Sequence, residues 1–134
     1  MMASSIANGG TMPEPILIYG IQTRNGNVRL QPNKGPLSTP LSPETAKTLT
    51  DMMVDVVENG TGRSARTAGM LIAGKTGTAE TQENQAPHAW FMGFAPADHP
   101  TLAIAVILEN AGTGGAKAAP LAGKILREAA SLGY

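Results

Sequence analysis

Apolar residues at Ala46, Leu49, Met52, Met53, Val56 and Val57 recur three or four apart, which predicts an amphipathic helix with one buried stripe. Ser42 is placed to cap its first turn, Pro43 fits the first helical position because no N–H is needed there, and Asn59-Gly60 ends it. Polar and small residues 61–67 predict a loop. Residues 70–79 then predict a strand, core 71–79, interrupted by Gly74 and Gly77. Residues 88–95 and 101–109 predict two antiparallel strands joined by the tight Pro96-Ala97-Asp98-His99-Pro100 connection. Because residues 102–108 do not alternate, both faces of that strand are expected to be covered. After a Gly-rich turn at 112–115, Pro120 opens a helix whose stripe is Leu121, Ala122, Ile125, Leu126, Ala129 and Leu132, ended by Gly133.

Toward the N-terminus the pattern is weaker. Residues 2–7 before Asn8-Gly9-Gly10 predict the end of a helix, and so short a piece suggests that residues precede Met1. A hairpin pairing 17–22 with 27–31 is predicted around Asn25-Gly26, both expected at the positive φ of a type I′ turn. Pro32, Gly35, Pro36, Pro40 and Pro43 predict a loop without regular structure up to Ser42. The C-terminal helix can cover only one face of the 102–108 strand, a second sign of a missing segment. The resulting fold class is α+β, an antiparallel sheet flanked by helices.

Composition narrows the function. The 134 residues form one domain at most, with 16 Gly and 10 Pro. Ten Lys and Arg balance ten Asp and Glu without a basic cluster, so no nucleic acid partner is expected. The longest apolar run, 102–108, is far short of the ~18 residues that span a bilayer, and no signal peptide or membrane anchor is expected in the chain itself. Without Cys, and with only two His, neither a disulfide nor a metal site is expected.

One string is a decoy. Gly69-Met70-Leu71-Ile72-Ala73-Gly74-Lys75-Thr76 satisfies the nucleotide-binding P-loop pattern. That loop must follow a strand and open a helix, whereas residues 63–68 are polar or small and 77–81 do not read as helical, so nucleotide binding is not expected. Read as a strand, Lys75-Thr76-Gly77-Thr78 sets a cation beside two hydroxyls with a bare glycine between, which suits recognition of a carboxylate by charge and O–H donors. Alone, such a tetrapeptide is more often ordinary strand surface. His88 is a residue for the edge of a cleft, Trp90 and Phe91 are expected to pack, and Arg63 and Arg66 are expected in a solvated loop.

In context the strand is more specific. Lys75-Thr76-Gly77-Thr78-Ala79-Glu80 resembles the KTG box of penicillin-binding proteins. So do its surroundings: Ile6-Ala7-Asn8-Gly9-Gly10, the Ser42-Pro43 helix ending in Val57-Glu58-Asn59-Gly60-Thr61-Gly62, and His88-Ala89-Trp90-Phe91-Met92-Gly93-Phe94-Ala95-Pro96. The whole chain, 1–134, is similar in order to the C-terminal part of a class B transpeptidase domain, a serine β-lactamase-like fold. Its short loops are most similar to those of the actinobacterial PbpA-type branch.

The resemblance implies a serine D,D-transpeptidase of peptidoglycan synthesis, active in building the cell wall and cell shape and requiring no cofactor. A Ser of an S-x-x-K box attacks the D-Ala-D-Ala bond of a stem peptide, a second stem peptide's amine resolves the acyl-enzyme, and β-lactams acylate the same Ser. Carried over, Lys75 adds positive charge and supports proton transfer, Thr76 and Thr78 hold the carboxylate, Gly77 lets the ligand lie against the strand, and the Thr78 N–H is half of the oxyanion hole. Residues 81–87 are implied to form a loop at the cleft edge.

The chain departs from the family in one decisive respect. Ser4, Ser5, Ser38, Ser42, Ser64 and Ser131 are followed three residues on by Ala7, Asn8, Leu41, Thr45, Thr67 and Tyr134, so no S-x-x-K box is present, and no S-x-N box either. The expectation is a fragment, inactive alone, whose partners are the stem peptide, β-lactams and the missing N-terminal part of the same domain. That part would carry two further strands, and also the membrane anchor that holds the parent protein on the extracytoplasmic face. Without it, the bare edge and face of the sheet are expected to self-associate. Two alternatives are a serine β-lactamase or β-lactam sensor fragment, against which the hairpin and the 88–96 segment argue, and a non-catalytic interaction module.

Overall fold

The computed structural model describes residues 1–18, 20–26, 28–30 and 35–134. Helix α1 (Met2–Ala7) stops at Asn8, and Gly9 and Gly10 then take φ of 61° and 95°, which lets the Gly10 N–H turn back to the Ser5 carbonyl at 2.9 Å. Four short strands follow. β1 (Met12–Pro13) pairs with β4 (Pro36–Ser38), and β2 (Ile21–Gln22) pairs with β3 (Val28–Leu30).

The hairpin therefore exists, but its turn differs from the sequence pattern. Gly26 is left-handed at φ 81° and Asn25 is not, so no type I′ turn forms; instead the Gly26 N–H closes onto the Thr23 carbonyl at 2.9 Å. The register shifts between Ile21 and Gln22, whose partners Leu30 and Val28 are two residues apart, so β3 carries the extra residue of a bulge. Residues 27 and 31 of the expected hairpin lie outside the described residues. The proline-rich segment also contains a strand where none was expected, since a two-stranded edge ladder accepts proline, with Pro13 opposite Pro36.

Helix α2 (Pro43–Glu58) starts as its sequence dictates, with the Ser42 hydroxyl accepting the Thr45 N–H at 3.1 Å. Ser42→Ala is expected to cost about 1 kcal/mol of stability, read as a lower urea midpoint with unchanged slope. Its buried residues are Ala46, Met53 and Val57. Met52, assigned to the stripe by spacing, is instead exposed, since it lies one step round the helix from Met53.

A 3-10 turn (Arg63–Ala65) leads to the main sheet, which has the order β5 (Ala73–Ala79), β6 (His88–Ala95), β7 (Leu102–Leu108), all antiparallel, with Thr76 opposite Phe91 and Phe91 opposite Val106. β5 begins two residues later than the expected core, because the Leu71 carbonyl accepts the Ala97 N–H at 2.8 Å rather than joining the ladder. A π-helical turn (Gly114–Ala118) opens directly into α3 (Ala119–Ser131), and Gly133 at φ 88° follows its end.

Two cores sit on the two sheet faces. Phe91 and Val106 pack with Ala119, Ala122 and Leu126 of α3, while Phe94 and Ala73 pack with Ala3 and Ile6 of α1 and Met53 of α2. Contrary to the spacing, Leu121, Ile125 and Leu132 of α3 are exposed. The helix rolls onto its smallest residues instead: a Cβ on Gly123 would collide with the Ala65 backbone, so the close approach is made at Ala119, Ala122 and Gly123. The other face of β7 is largely open, with Ala103, Ala105 and Ile107 exposed, because among the described residues only the short α1 lies against it.

Candidate active site

Lys75, Thr76, Gly77 and Thr78 are consecutive on β5, the outermost strand of its sheet among the described residues. Alternation sends Lys75 and Gly77 to the face carrying Trp90 and Met92, and Thr76 and Thr78 to the face carrying Phe91 and Ala89. A ligand lying along this edge would therefore meet a cation from one side and hydroxyls from the other. An edge strand also presents outward backbone N–H and C=O groups for a ligand to use.

Each side chain has its own setting. Lys75 is exposed, and its Nζ donates to the Thr76 carbonyl at 2.6 Å; among the described residues no carboxylate neutralises it. Its charge is therefore available to an anion. Thr76 is only 9% exposed, and its hydroxyl shares a 2.6 Å hydrogen bond with the Thr61 hydroxyl. Thr78 is exposed, and its hydroxyl accepts the Gly114 N–H at 3.3 Å, which leaves its own proton free for donation. Gly77 lies under Trp90, whose Cβ would be 3.2 Å from any Cβ added there.

The open part of the Lys75 face forms a groove of about 470 Å³ between the sheet and the start of α1, lined by Lys75, Gly77, Trp90, Met92, Ala105 and Met2. Trp90, expected to pack, is 41% exposed here because among the described residues only the start of α1 borders this groove, while Phe91 is fully buried as expected. His88, opposite Ala79 at the end of β5, accepts the Asn110 N–H on its Nδ1 at 2.9 Å. Arg66 pairs with Glu58 at 3.2 Å on the surface and does not reach the strand's hydroxyls. Among the described residues no three His, Asp or Glu side chains come together as a metal site would require, and no helix is long and apolar enough to cross a membrane. The P-loop string runs through a turn into β5 and opens no helix, so its amides do not form a phosphate cradle.

A sequence-family model described as the penicillin binding protein transpeptidase domain matches residues 1–127. The chain belongs to the penicillin-binding protein transpeptidase family. It is 39% identical, over 90% of its length, to the peptidoglycan D,D-transpeptidase PbpA of Mycolicibacterium smegmatis, and covers 26% of that protein. The fold superimposes on the D,D-transpeptidase domain of a peptidoglycan glycosyltransferase from Eggerthella lenta with a TM-score of 0.89 and 33% identity, covering 99% of this chain and 31% of the other. For the penicillin G acyl-enzyme complex of penicillin-binding protein A from M. tuberculosis the TM-score is 0.84 at 36% identity, covering 97% of this chain and 30% of the other. The chain thus spans about a quarter of the length of the curated relatives it matches.

Within this transpeptidase-family chain, sequence reading missed two residues that contact the strand's hydroxyls, Thr61 and Gly114. Both stand among glycines, Gly60-Thr61-Gly62 and Gly112-Thr113-Gly114-Gly115, where the bare backbone lets them approach the strand. That clustering was legible, but nothing in the spacing says that segments 15 and 36 residues away from their partners meet on one strand.

Proposed function

We propose that residues 1–134 are the C-terminal part of a serine D,D-transpeptidase domain and supply its KTG strand, within a protein that cross-links peptidoglycan stem peptides and is acylated by β-lactams. The observation that carries this reading is β5 itself: an edge strand on which an unneutralised Lys75 and a Thr78 hydroxyl with a free proton flank Gly77. In this role Lys75 draws the substrate's carboxylate and supports proton transfer at the nucleophile. Thr76 and Thr78 donate to that carboxylate, and the Thr78 N–H donates to the oxyanion that forms as the carbonyl is attacked.

The attacking Ser lies on another segment, since no Ser here precedes a Lys at the required spacing. The same segment would meet the open Trp90 and Ala105 half of the sheet, and the whole protein would work outside the cytoplasmic membrane, where stem peptides are cross-linked. The similarity to a protein that has been captured as a penicillin G acyl-enzyme supports the β-lactam part of the reading.

Intact mass before and after excess benzylpenicillin tests it. The complete protein is expected to gain one penicillin, and the 134-residue chain alone to gain none. An adduct on the chain alone would make one of its own serines the nucleophile, and no adduct on the complete protein would overturn the reading.

A further inference from the structure

The 2.6 Å contact between the Thr61 and Thr76 hydroxyls is the shortest side-chain link between the KTG strand and the rest of the chain among the described residues. We infer that Thr61 is a positioning residue, which holds the Thr76 hydroxyl as a donor to a ligand carboxylate. This rests on the transpeptidase reading and adds to it a residue outside the KTG strand.

A hydroxyl has a single proton, and each of these two has the other as its described partner. If Thr76 donates to Thr61, it has nothing left for an anion; if Thr61 donates to Thr76, the Thr76 proton is free to point along the strand edge. A carboxylate arriving there selects the second arrangement, giving the chain Thr61 O–H to Thr76 O–H to carboxylate. Each donor in such a chain polarises the next, and the effect is larger where water is excluded, as it is around the 9% exposed Thr76.

The backbone is built to hold Thr61 in place. The Gly62 N–H donates to the Val56 carbonyl at 2.9 Å, which ties the segment to the end of α2. A Cβ on Gly60 would stand 3.0 Å from the Val56 backbone, and one on Gly115 would stand 2.6 Å from the Thr61 carbonyl. These glycines let the end of α2 and the π-helical turn approach the Thr61 backbone closely, which fixes its position although the residue itself is exposed.

The test measures acylation efficiency of the complete protein with benzylpenicillin and with its methyl ester, which keeps the lactam and lacks the carboxylate. Thr61→Val is expected to lower the efficiency for the acid about tenfold, the upper end for one neutral hydrogen bond, and to leave the ester nearly unchanged. Thr61→Ser, which keeps the hydroxyl, should restore the acid's efficiency. On a Thr76→Val background, adding Thr61→Val should cost nothing further. The inference fails if Thr61→Val acylates like the parent protein, if acid and ester lose equally, or if the two substitutions add. A parent protein that takes neither compound defeats the transpeptidase reading instead, so the two failures are distinct.

Discussion

Lys75→Ala in the complete protein lowers the rate of acylation by benzylpenicillin by an expected 10²- to 10⁴-fold, the usual range for removing a positioned proton-transfer group. Rapid-quench labelling checks it, with thermal unfolding alongside. The physical basis is that Lys75 has no carboxylate partner among the described residues and folds its ammonium only onto the neighbouring Thr76 carbonyl. Removing an exposed lysine without an ion pair leaves no buried charge behind, so the stability should change by less than about 0.5 kcal/mol. Activity and stability should therefore separate. A loss of stability matching the loss of acylation would mean that Lys75 holds the strand together rather than acting on a ligand.

Gly114→Ala is expected to have the opposite profile, destabilising by about 3 kcal/mol, the upper end of the usual overpacking cost. A methyl group there would collide with the backbone carbonyls of both Gly77 and Trp90, two atoms that belong to adjacent paired strands and cannot rotate away. The same residue's N–H holds the Thr78 hydroxyl at 3.3 Å, so the shift that relieves the collision also pulls that donor off the strand. A urea titration of the complete protein reads the first effect, and benzylpenicillin labelling at a temperature where the variant is folded reads the second. An unchanged midpoint would show that the π-helical turn moves freely over the sheet and does not brace β5.

The glycines make the same point at other positions. Gly74 and Gly93 face each other across β5 and β6, and a side chain on Gly74 would enter the Phe91 ring while one on Gly93 would meet the Ala73 carbonyl. From sequence Gly74 reads as an interruption of its strand. In the fold the two glycines make room for Phe91, whose ring lies across the pair and is fully buried. Strand glycine that looks like weakness in one dimension is clearance in three.

Local chemistry was legible wherever a short stretch of chain decides the outcome. Ser42 capping α2, the ends of β6, and the left-handed Gly133 after α3 all follow from propensities and hydrogen bonds within a few residues. The KTG strand was legible as a resemblance, and the family match over residues 1–127 agrees with it. Spacing failed where the answer depended on what lies opposite. Of the expected α3 stripe, Ala122 and Leu126 are buried, but Leu121, Ile125 and Leu132 are exposed, and Ala119 and Gly123 face the core in their place, since small residues are what fit against the Ala65 backbone.

The amino-acid sequence by itself determined the order of the main elements, the α+β class and the resemblance of residues 75–80 to a KTG strand, because each depends on neighbours in the chain. Only the tertiary structure decided that Thr76 and Thr78 share a face with the buried Phe91, that Thr61 and Gly114 bind the two strand hydroxyls, and that Trp90 lies open. Those facts depend on pairing register and on the distance between segments far apart in sequence. Both are set by which side chains leave room for a backbone to approach, and no local pattern encodes that.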